Sequence, residues 1–138
     1  METQENTVDI LYVEDDLVDI EDVQRIFKKV KESCVIEIAY NGEEALNKLY
    51  GRGGEKKIRP KVILLDINIP KLSGIELLKI IRQDPTLAFI EVFILTNAYT
   101  KEDKLTTRSL NVKGQIVKPI EYSDALNIYW ASQQAKSY

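Results

Sequence analysis

A run of four aliphatic residues that ends in a carboxylate constrains the fold of this chain more than any other feature. Val62 to Leu65 are consecutively apolar, Asp66 follows them at once, and Pro70 then breaks the pattern. Such a run is typical of a β-strand buried on both faces of a parallel sheet. Asp66 then lies at the carboxyl end of that strand, where open α/β sheets bind their ligands. It is either a functional carboxylate in a crevice or a polar residue that closes the strand.

The rest of the chain alternates between strand-like and helix-like patterns. The predicted strands cover residues 8–13, 35–40, 62–65, 92–95 and 114–117. The predicted helices cover about 17–31, 43–50, 75–83 and 100–110, and a last one is capped by Ser123 and runs towards Gln134. The glycine-rich, basic segment 51–59 is interpreted as a solvated connection, with docking of a partner as the alternative.

Five β–α units in succession predict an α/β fold with a five-stranded parallel sheet. Crossover connections of this length are right-handed. Because the third and fourth strands are apolar throughout, helices should cover both faces of the sheet. The expected architecture is a doubly wound, three-layer α/β/α sandwich.

Length and composition indicate a single globular domain. The 138 residues fit one domain, so we expect one unit over 1–138 with no output domain. The net charge of −3 does not favour binding to nucleic acid. No apolar run approaches the roughly 18 residues of a membrane span, and the polar amino terminus does not resemble a signal peptide. We therefore expect a cytoplasmic protein, with Cys34 as a buried residue or, alternatively, a reactive thiol.

The sequence contains no histidine, and this excludes several kinds of site. Serine and cysteine hydrolase sites that depend on histidine cannot form. With a single cysteine, any metal site must be rich in oxygen ligands, which suits Mg²⁺, Ca²⁺ or Mn²⁺.

Polar residues follow four of the predicted strands, at the edge where parallel strands all end. They are Glu14, Asp15, Asp66, Thr96 and Lys118. Three carboxylates in one crevice repel one another unless a cation lies among them, and Mg²⁺ is the natural choice here. With a lysine and a threonine beside it, Asp66 is predicted to act as a nucleophile that forms an acyl phosphate. The alternative for the acidic run 14–16 is a solvated start of a helix.

These motifs, in this order and spacing, resemble the receiver domain of two-component response regulators over nearly the whole chain. The matching segments are residues 13–16, 65–70 with Gly74, 95–96 and 118–119. The resemblance implies a flavodoxin-like (CheY-like) fold of bacterial signalling proteins. Within the family, residues 51–59, 66–70 and 129–130 are most similar to stand-alone receivers paired with bacterial phytochromes.

The resemblance also implies roles for individual residues. Asp66 would take a phosphoryl group from a phosphohistidine on a sensor histidine kinase or a histidine phosphotransfer protein. Mg²⁺ would be held by Glu14, Asp15, Asp66 and the backbone carbonyl of Asn68. Thr96 and Lys118 would bind the phosphoryl oxygens, Thr96 would report phosphorylation by reorienting, and the Lys118–Pro119 bond would be cis.

Two features bear on how a signal would leave the domain. The family often has an aromatic switch residue three positions before the lysine, but this chain has Gln115 there. Tyr129 and Trp130 are adjacent in the last helix, so one should pack inward and the other be exposed. The exposed one is expected to belong to a protein interface, and the alternative is that the pair serves core packing alone. The output surface is expected to be the fourth helix, fifth strand and fifth helix, where a homodimer can form.

Two other functions stay open. One is a Mg²⁺-dependent phosphohydrolase with an aspartate nucleophile, similar to haloacid dehalogenases. Those enzymes need a second acid two residues after the nucleophile, and this chain has Asn68 there. The other is a scaffold that resembles a receiver but is not phosphorylated. We expect a signalling domain and not an enzyme with turnover.

Overall fold

The computed structural model describes residues 6–135, which form one parallel sheet with helices on both faces. The strands are β1 (Asn6–Val13), β2 (Ile36–Ala39), β3 (Ile58–Leu65), β4 (Glu91–Thr96) and β5 (Gly114–Val117). The helices are α1 (Leu17–Val30), α2 (Gly42–Tyr50), α3 (Gly74–Gln83), α4 (Lys101–Ser109) and α5 (Tyr122–Gln134). The strand order is β2-β1-β3-β4-β5, with all pairs parallel. The doubly wound sandwich is confirmed.

The central strand β3 separates two hydrophobic cores. Its residues alternate, so that Ile63 and Leu65 face the core covered by α2 and α3, whereas Val62 and Leu64 face the core covered by α1 and α5. All four side chains are fully buried. The four-residue aliphatic run is therefore explained by two buried faces, as the sequence predicted.

The helices begin where the sequence places capping residues, with one exception. Asp16 caps α1 by accepting hydrogen bonds from the backbone N–H groups of Val18 and Asp19. The prediction that Ser123 caps α5 is wrong, because the helix already begins at Tyr122. Its capping position is taken by Glu121, whose backbone N–H donates to the carboxylate of Asp124.

The loop predicted at 51–59 is two residues too long. Ile58 and Arg59 belong to β3, where they pair with Asn6 and Thr7 at the start of β1. Burial of Ile58 favours this extension of the ladder over a solvated loop. The buried lysine Lys48 fastens the remaining loop to the body through an ion pair with Glu55 at 3.1 Å. Within residues 6–135, no helix is long and apolar enough to cross a membrane.

Candidate functional site

The end of β3 is held against the start of α3, and this fixes the backbone at Asp66. A Cβ atom on Gly74 would lie 2.4 Å from the Cα of Ile67 and 2.6 Å from the carbonyl oxygen of Asp66. Only glycine permits this approach, since real Cβ atoms do not come so close. The Asp66 backbone N–H also donates to the carbonyl of Val13 on β1. Asp66 is therefore carried by a rigid strand end.

Lys118 forms the centre of a cluster of carboxylates at this edge. Its ammonium Nζ donates to Glu14 Oε1 at 2.7 Å, to Asp19 Oδ2 at 2.8 Å and to Asp66 Oδ2 at 2.8 Å. The side chain of Lys118 is only 7% exposed, and those of Glu14 and Asp66 are 2% and 6% exposed. An ammonium group has three donors, and all of them are used here.

Burial and charge compete in setting the pKa values of this cluster. Burial alone would lower the pKa of Lys118, but the hydrogen bonds to Asp19, Asp66 and Glu14 outweigh it and raise that pKa. Burial raises the pKa of Glu14, and the nearby charge of Asp66 raises it further against the opposing effect of Lys118. Lys118 is thus held firmly protonated.

Asn68 links Asp66 to Thr96 across the site. The backbone N–H of Asn68 donates to Asp66 Oδ1 at 2.9 Å, and its side-chain Nδ2 donates to Thr96 Oγ1 at 3.1 Å. The Thr96 hydroxyl is fully buried and lies 3.5 Å from the carbonyl oxygen of Ala98. These contacts hold Asp66 Oδ1 by a backbone donor and place the Thr96 hydroxyl between Asn68 and Ala98.

The structure buries most of the predicted site residues together, but leaves Asp15 exposed. Glu14, Asp66, Thr96 and the side chain of Lys118 are buried at one edge, whereas Asp15 is exposed. Across the described part of the chain, no three acidic, histidine or cysteine side chains are grouped as they would be around a metal ion. The Lys118–Pro119 peptide bond is cis, as predicted.

The donor set at this edge nevertheless fits a hard divalent cation. Lys118 offers one positive charge to the three carboxylates of Glu14, Asp19 and Asp66. The exposed carboxylate of Asp15 adds a further negative charge next to them in sequence. Oxygen ligands with an excess of negative charge are what Mg²⁺ and Mn²⁺ prefer.

Two contributors to the cluster were missed by sequence reasoning. Asp19, an acid in the first turn of α1, was not among the predicted site residues, but it is a partner of Lys118. Helical spacing could not have revealed this contact, because Asp15 precedes the capping residue Asp16 and is not part of α1. The fully buried Tyr12 donates its hydroxyl to Glu14 Oε1 at 3.0 Å, and burial followed by the charge of Glu14 raises the pKa of Tyr12.

The aromatic pair in α5 divides as predicted. Tyr129 packs against the core that includes Ile128, whereas Trp130 is 66% exposed. Other exposed apolar side chains lie on α4, β5 and α5, namely Leu105, Val117, Tyr122 and Leu126. This surface is distant in sequence from Asp66 but is formed by the segments that follow Thr96 and Lys118.

Comparison with known proteins agrees with this geometry. The family model described as the response regulator receiver domain matches residues 10–129. The chain is 34% identical to the response regulator Rcp1 of Synechocystis, over 83% of this chain and 79% of Rcp1. A structure of Rcp1 in its Mn²⁺-bound form has a TM-score of 0.76 at 31% identity and covers 90% of this chain and 88% of that one.

Solved structures of other response regulators are also similar. A two-component response regulator from Legionella pneumophila has a TM-score of 0.87 at 54% identity, covering 92% of this chain and 98% of its own. The bacteriophytochrome response regulator AtBRR has a TM-score of 0.79 at 27% identity, covering 99% and 98% of the two chains. The chain belongs to the response regulator receiver domain family of two-component signalling.

Proposed function

We propose that this receiver domain accepts a phosphoryl group on Asp66 and thereby changes its contacts with other proteins. Receiver domains are phosphorylated by histidine kinases or phosphotransfer proteins, and we propose one of these as the donor. The observation that supports Asp66 most strongly is the 2.8 Å contact between its Oδ2 and the buried ammonium of Lys118. We propose that this chemistry takes place in the cytoplasm, a reducing compartment in which the free thiol of Cys34 would stay reduced.

The reaction is a transfer between two nucleophiles. A carboxylate oxygen of Asp66 attacks the phosphorus of a phosphohistidine, so that a P–O bond forms while the P–N bond breaks. The electron pair of the broken bond stays on the imidazole nitrogen of the donor, which then takes up a proton. Lys118 and the Thr96 hydroxyl stabilise the charge on the equatorial phosphoryl oxygens.

A divalent cation, which we propose to be Mg²⁺, would be held beside Asp66. Receiver domains bind a divalent metal, and Rcp1 does so with Mn²⁺. Glu14, Asp15, Asp66 and the backbone carbonyl of Asn68 are the proposed ligands. When bound, the cation neutralises charge on the transferring phosphoryl group. Asp66 is already oriented for this by the Asn68 N–H.

Changing Asp15 to asparagine is expected to weaken binding of Mg²⁺ by at least about 10- to 100-fold. Loss of a residue that only hydrogen-bonds to a metal ligand already has an effect of this size, and loss of a direct ligand should not have a smaller one. Because the side chain is exposed, the substitution should leave the free energy of unfolding of the metal-free protein nearly unchanged. Titration calorimetry with Mg²⁺ and Mn²⁺ measures this, and thermal unfolding with EDTA checks the fold.

Asp16→Asn is the matched control for Asp15→Asn. It removes the same charge one residue away, and asparagine caps helices as well as aspartate does. Metal affinity of Asp16→Asn should stay within a few-fold of the wild type. Equal losses in the two variants would show that only general negative charge attracts the cation, and Asp15 would then not be a ligand.

The output of the switch is proposed to be a contact between two copies of the α4–β5–α5 surface. Exposed basic residues lie on α4, namely Lys101, Lys104 and Arg108, and acidic residues lie at the start of α5, namely Glu121 and Asp124. A two-fold axis would bring α4 of one copy to α5 of the other, with Trp130 buried between them. Light scattering with and without beryllofluoride and Mg²⁺ tests this. An unchanged mass would redirect the proposal to a heterologous partner.

The function itself is tested with a small phosphodonor. Wild-type protein incubated with acetyl phosphate and Mg²⁺ should gain one phosphoryl group per chain, seen by intact mass, and EDTA should prevent it. Many turnovers of an aryl phosphate would favour the phosphohydrolase instead. A protein that gains no phosphoryl group with any divalent cation would leave only the unphosphorylated scaffold.

A further inference from the structure

Helix α4 buries a single residue against the rest of the domain, and that residue is polar. Thr107 is fully buried, and it is the only buried residue within Lys101–Ser109. Its hydroxyl oxygen lies 2.6 Å from the hydroxyl of Tyr99 and 3.0 Å from Nε2 of Gln115. We call these three residues the α4 hub. They join the β4–α4 loop, the last turn of α4 and the edge strand β5.

The hydrogen-bonding capacity of the Thr107 hydroxyl is fully used. It donates to the carbonyl oxygen of Lys104 at 3.3 Å, as a helical threonine does. Its two lone pairs then accept from Gln115 Nε2 and from the Tyr99 hydroxyl, so Tyr99 is the donor. Because Thr107 is buried, water cannot easily replace a partner that is withdrawn.

The far end of α4 is fastened separately. Arg82 on α3 donates from Nε to the carbonyl oxygen of Leu110 at 2.8 Å and from Nη2 to that of Asn111 at 3.3 Å. Nη1 of Arg82 donates to the carbonyls of Ala88 and Ile90 before β4. The carboxyl end of α4 is thus tied to a rigid helix, and the hub joins the same last turn to Tyr99 in the loop that precedes α4.

A short chain of contacts connects the hub to Asp66. The carbonyl oxygen of Ala98 receives the Thr96 hydroxyl at 3.5 Å and Asn68 Nδ2 at 3.4 Å, and Ala98 directly precedes Tyr99. Both distances are long, so these are weak hydrogen bonds. A Thr96 hydroxyl that turns towards a phosphoryl group on Asp66 leaves the Ala98 carbonyl, and the backbone at Tyr99 is then less restrained.

We propose that the α4 hub holds the unphosphorylated conformation, and that phosphorylation of Asp66 releases α4 by breaking the contact between Tyr99 and Thr107. This inference rests on the proposed function, because it assumes a phosphoryl group at Asp66. It explains how a receiver with Gln115 on β5 can transmit a signal, since Gln115 contributes a hydrogen bond to the hub.

The inference has a thermodynamic consequence. A contact that exists only in the resting conformation opposes binding of any ligand that favours the phosphorylated conformation. Removing the contact should therefore raise the affinity for such a ligand. For one hydrogen bond of ordinary strength the gain is about threefold to tenfold in apparent affinity. The ligand to use is beryllofluoride with Mg²⁺, which imitates a phosphoryl group on a carboxylate.

Tyr99→Phe and Thr107→Val each remove one hydroxyl of the hub with little change in shape. The matched controls are Tyr50→Phe, whose hydroxyl contacts Asp84 instead, and Thr106→Val, one residue earlier in α4. Calorimetry gives the affinity for beryllofluoride and Mg²⁺. Amide hydrogen exchange over residues 101–109, in the absence of any phosphoryl mimic, gives the stability of α4 independently.

The hub variants should bind the mimic about threefold to tenfold more tightly than the wild type and exchange faster in α4, while both controls behave as the wild type. Affinities within twofold of the wild type, or weaker ones, in folded hub variants would overturn the inference. If even the wild type fails to bind the mimic, the proposed function fails. If amide hydrogen exchange in α4 of the hub variants also equals that of the wild type, the hub does not stabilise α4 and the inference fails independently.

Discussion

Replacing Asp66 with asparagine is expected to abolish phosphoryl transfer from acetyl phosphate while leaving the fold intact. The amide has nearly the same shape, and its oxygen can still accept the hydrogen bond from the Asn68 N–H. An amide nitrogen is not a nucleophile at neutral pH, so no acyl phosphate can form. Phosphoryl incorporation should fall to the level seen with EDTA, measured by intact mass over a time course.

Asp22→Asn is the control for Asp66→Asn. Asp22 is an exposed acid of α1 that pairs with Arg25, outside the carboxylate cluster. This variant should incorporate phosphoryl groups at the wild-type rate. If Asp66→Asn continues to be labelled as the wild type is, another carboxylate is the acceptor, and the roles proposed for Lys118 and Thr96 lose their basis.

Lys118→Met is expected to lower the free energy of unfolding by about 3 kcal/mol when a chelator keeps the protein free of metal. Removal of one partner from a buried ion pair has an effect of this size. Glu14 and Asp66 are almost completely buried and would face each other without a cation. Mg²⁺ would supply the missing positive charge, so the deficit should shrink as the metal is added. Mg²⁺ should also bind more tightly than to the wild type, because it no longer competes with an ammonium group. Phosphoryl transfer should be strongly slowed.

Lys48→Met provides the comparison for Lys118→Met. Lys48 is also a buried lysine between two carboxylates, with Nζ 2.9 Å from Glu37 and 3.1 Å from Glu55, but it lies in α2 beside the loop 51–57. Its loss should destabilise the protein to an extent that Mg²⁺ does not change. Urea unfolding with EDTA and with Mg²⁺ measures both variants. A deficit in Lys118→Met that Mg²⁺ leaves untouched would contradict a cation site next to Lys118.

The fold could be predicted from the sequence because its central strands are buried on both faces. Runs such as Val62 to Leu65 have no other common explanation in a chain of this pattern. The errors lie at element ends. Residues 58–59 look like loop on local composition, and only the pairing of β3 with the start of β1 makes them strand. That the chain works as a single domain without an output domain stays a prediction.

The site could be predicted as far as topology determines it. Parallel strands end at one edge, and this brings Glu14, Asp66 and Lys118 together whatever their side-chain conformations. The third partner of Lys118, Asp19, comes from a helix, and its contact depends on how α1 packs against the sheet. The hub at Thr107 could not be predicted from the sequence either, because it depends on side-chain contacts between α4 and β5.

The measurement that tests the central proposal most directly is chemical trapping of the acyl phosphate. Borohydride reduces an aspartyl phosphate to homoserine, and peptide mass spectrometry then locates the modified residue. After incubation with acetyl phosphate and Mg²⁺, homoserine should appear at position 66 and be absent when EDTA is present. Homoserine at Asp15, Asp19 or another acid instead, or none in protein shown to carry a phosphoryl group, would contradict the assignment of Asp66 as the phosphoryl acceptor.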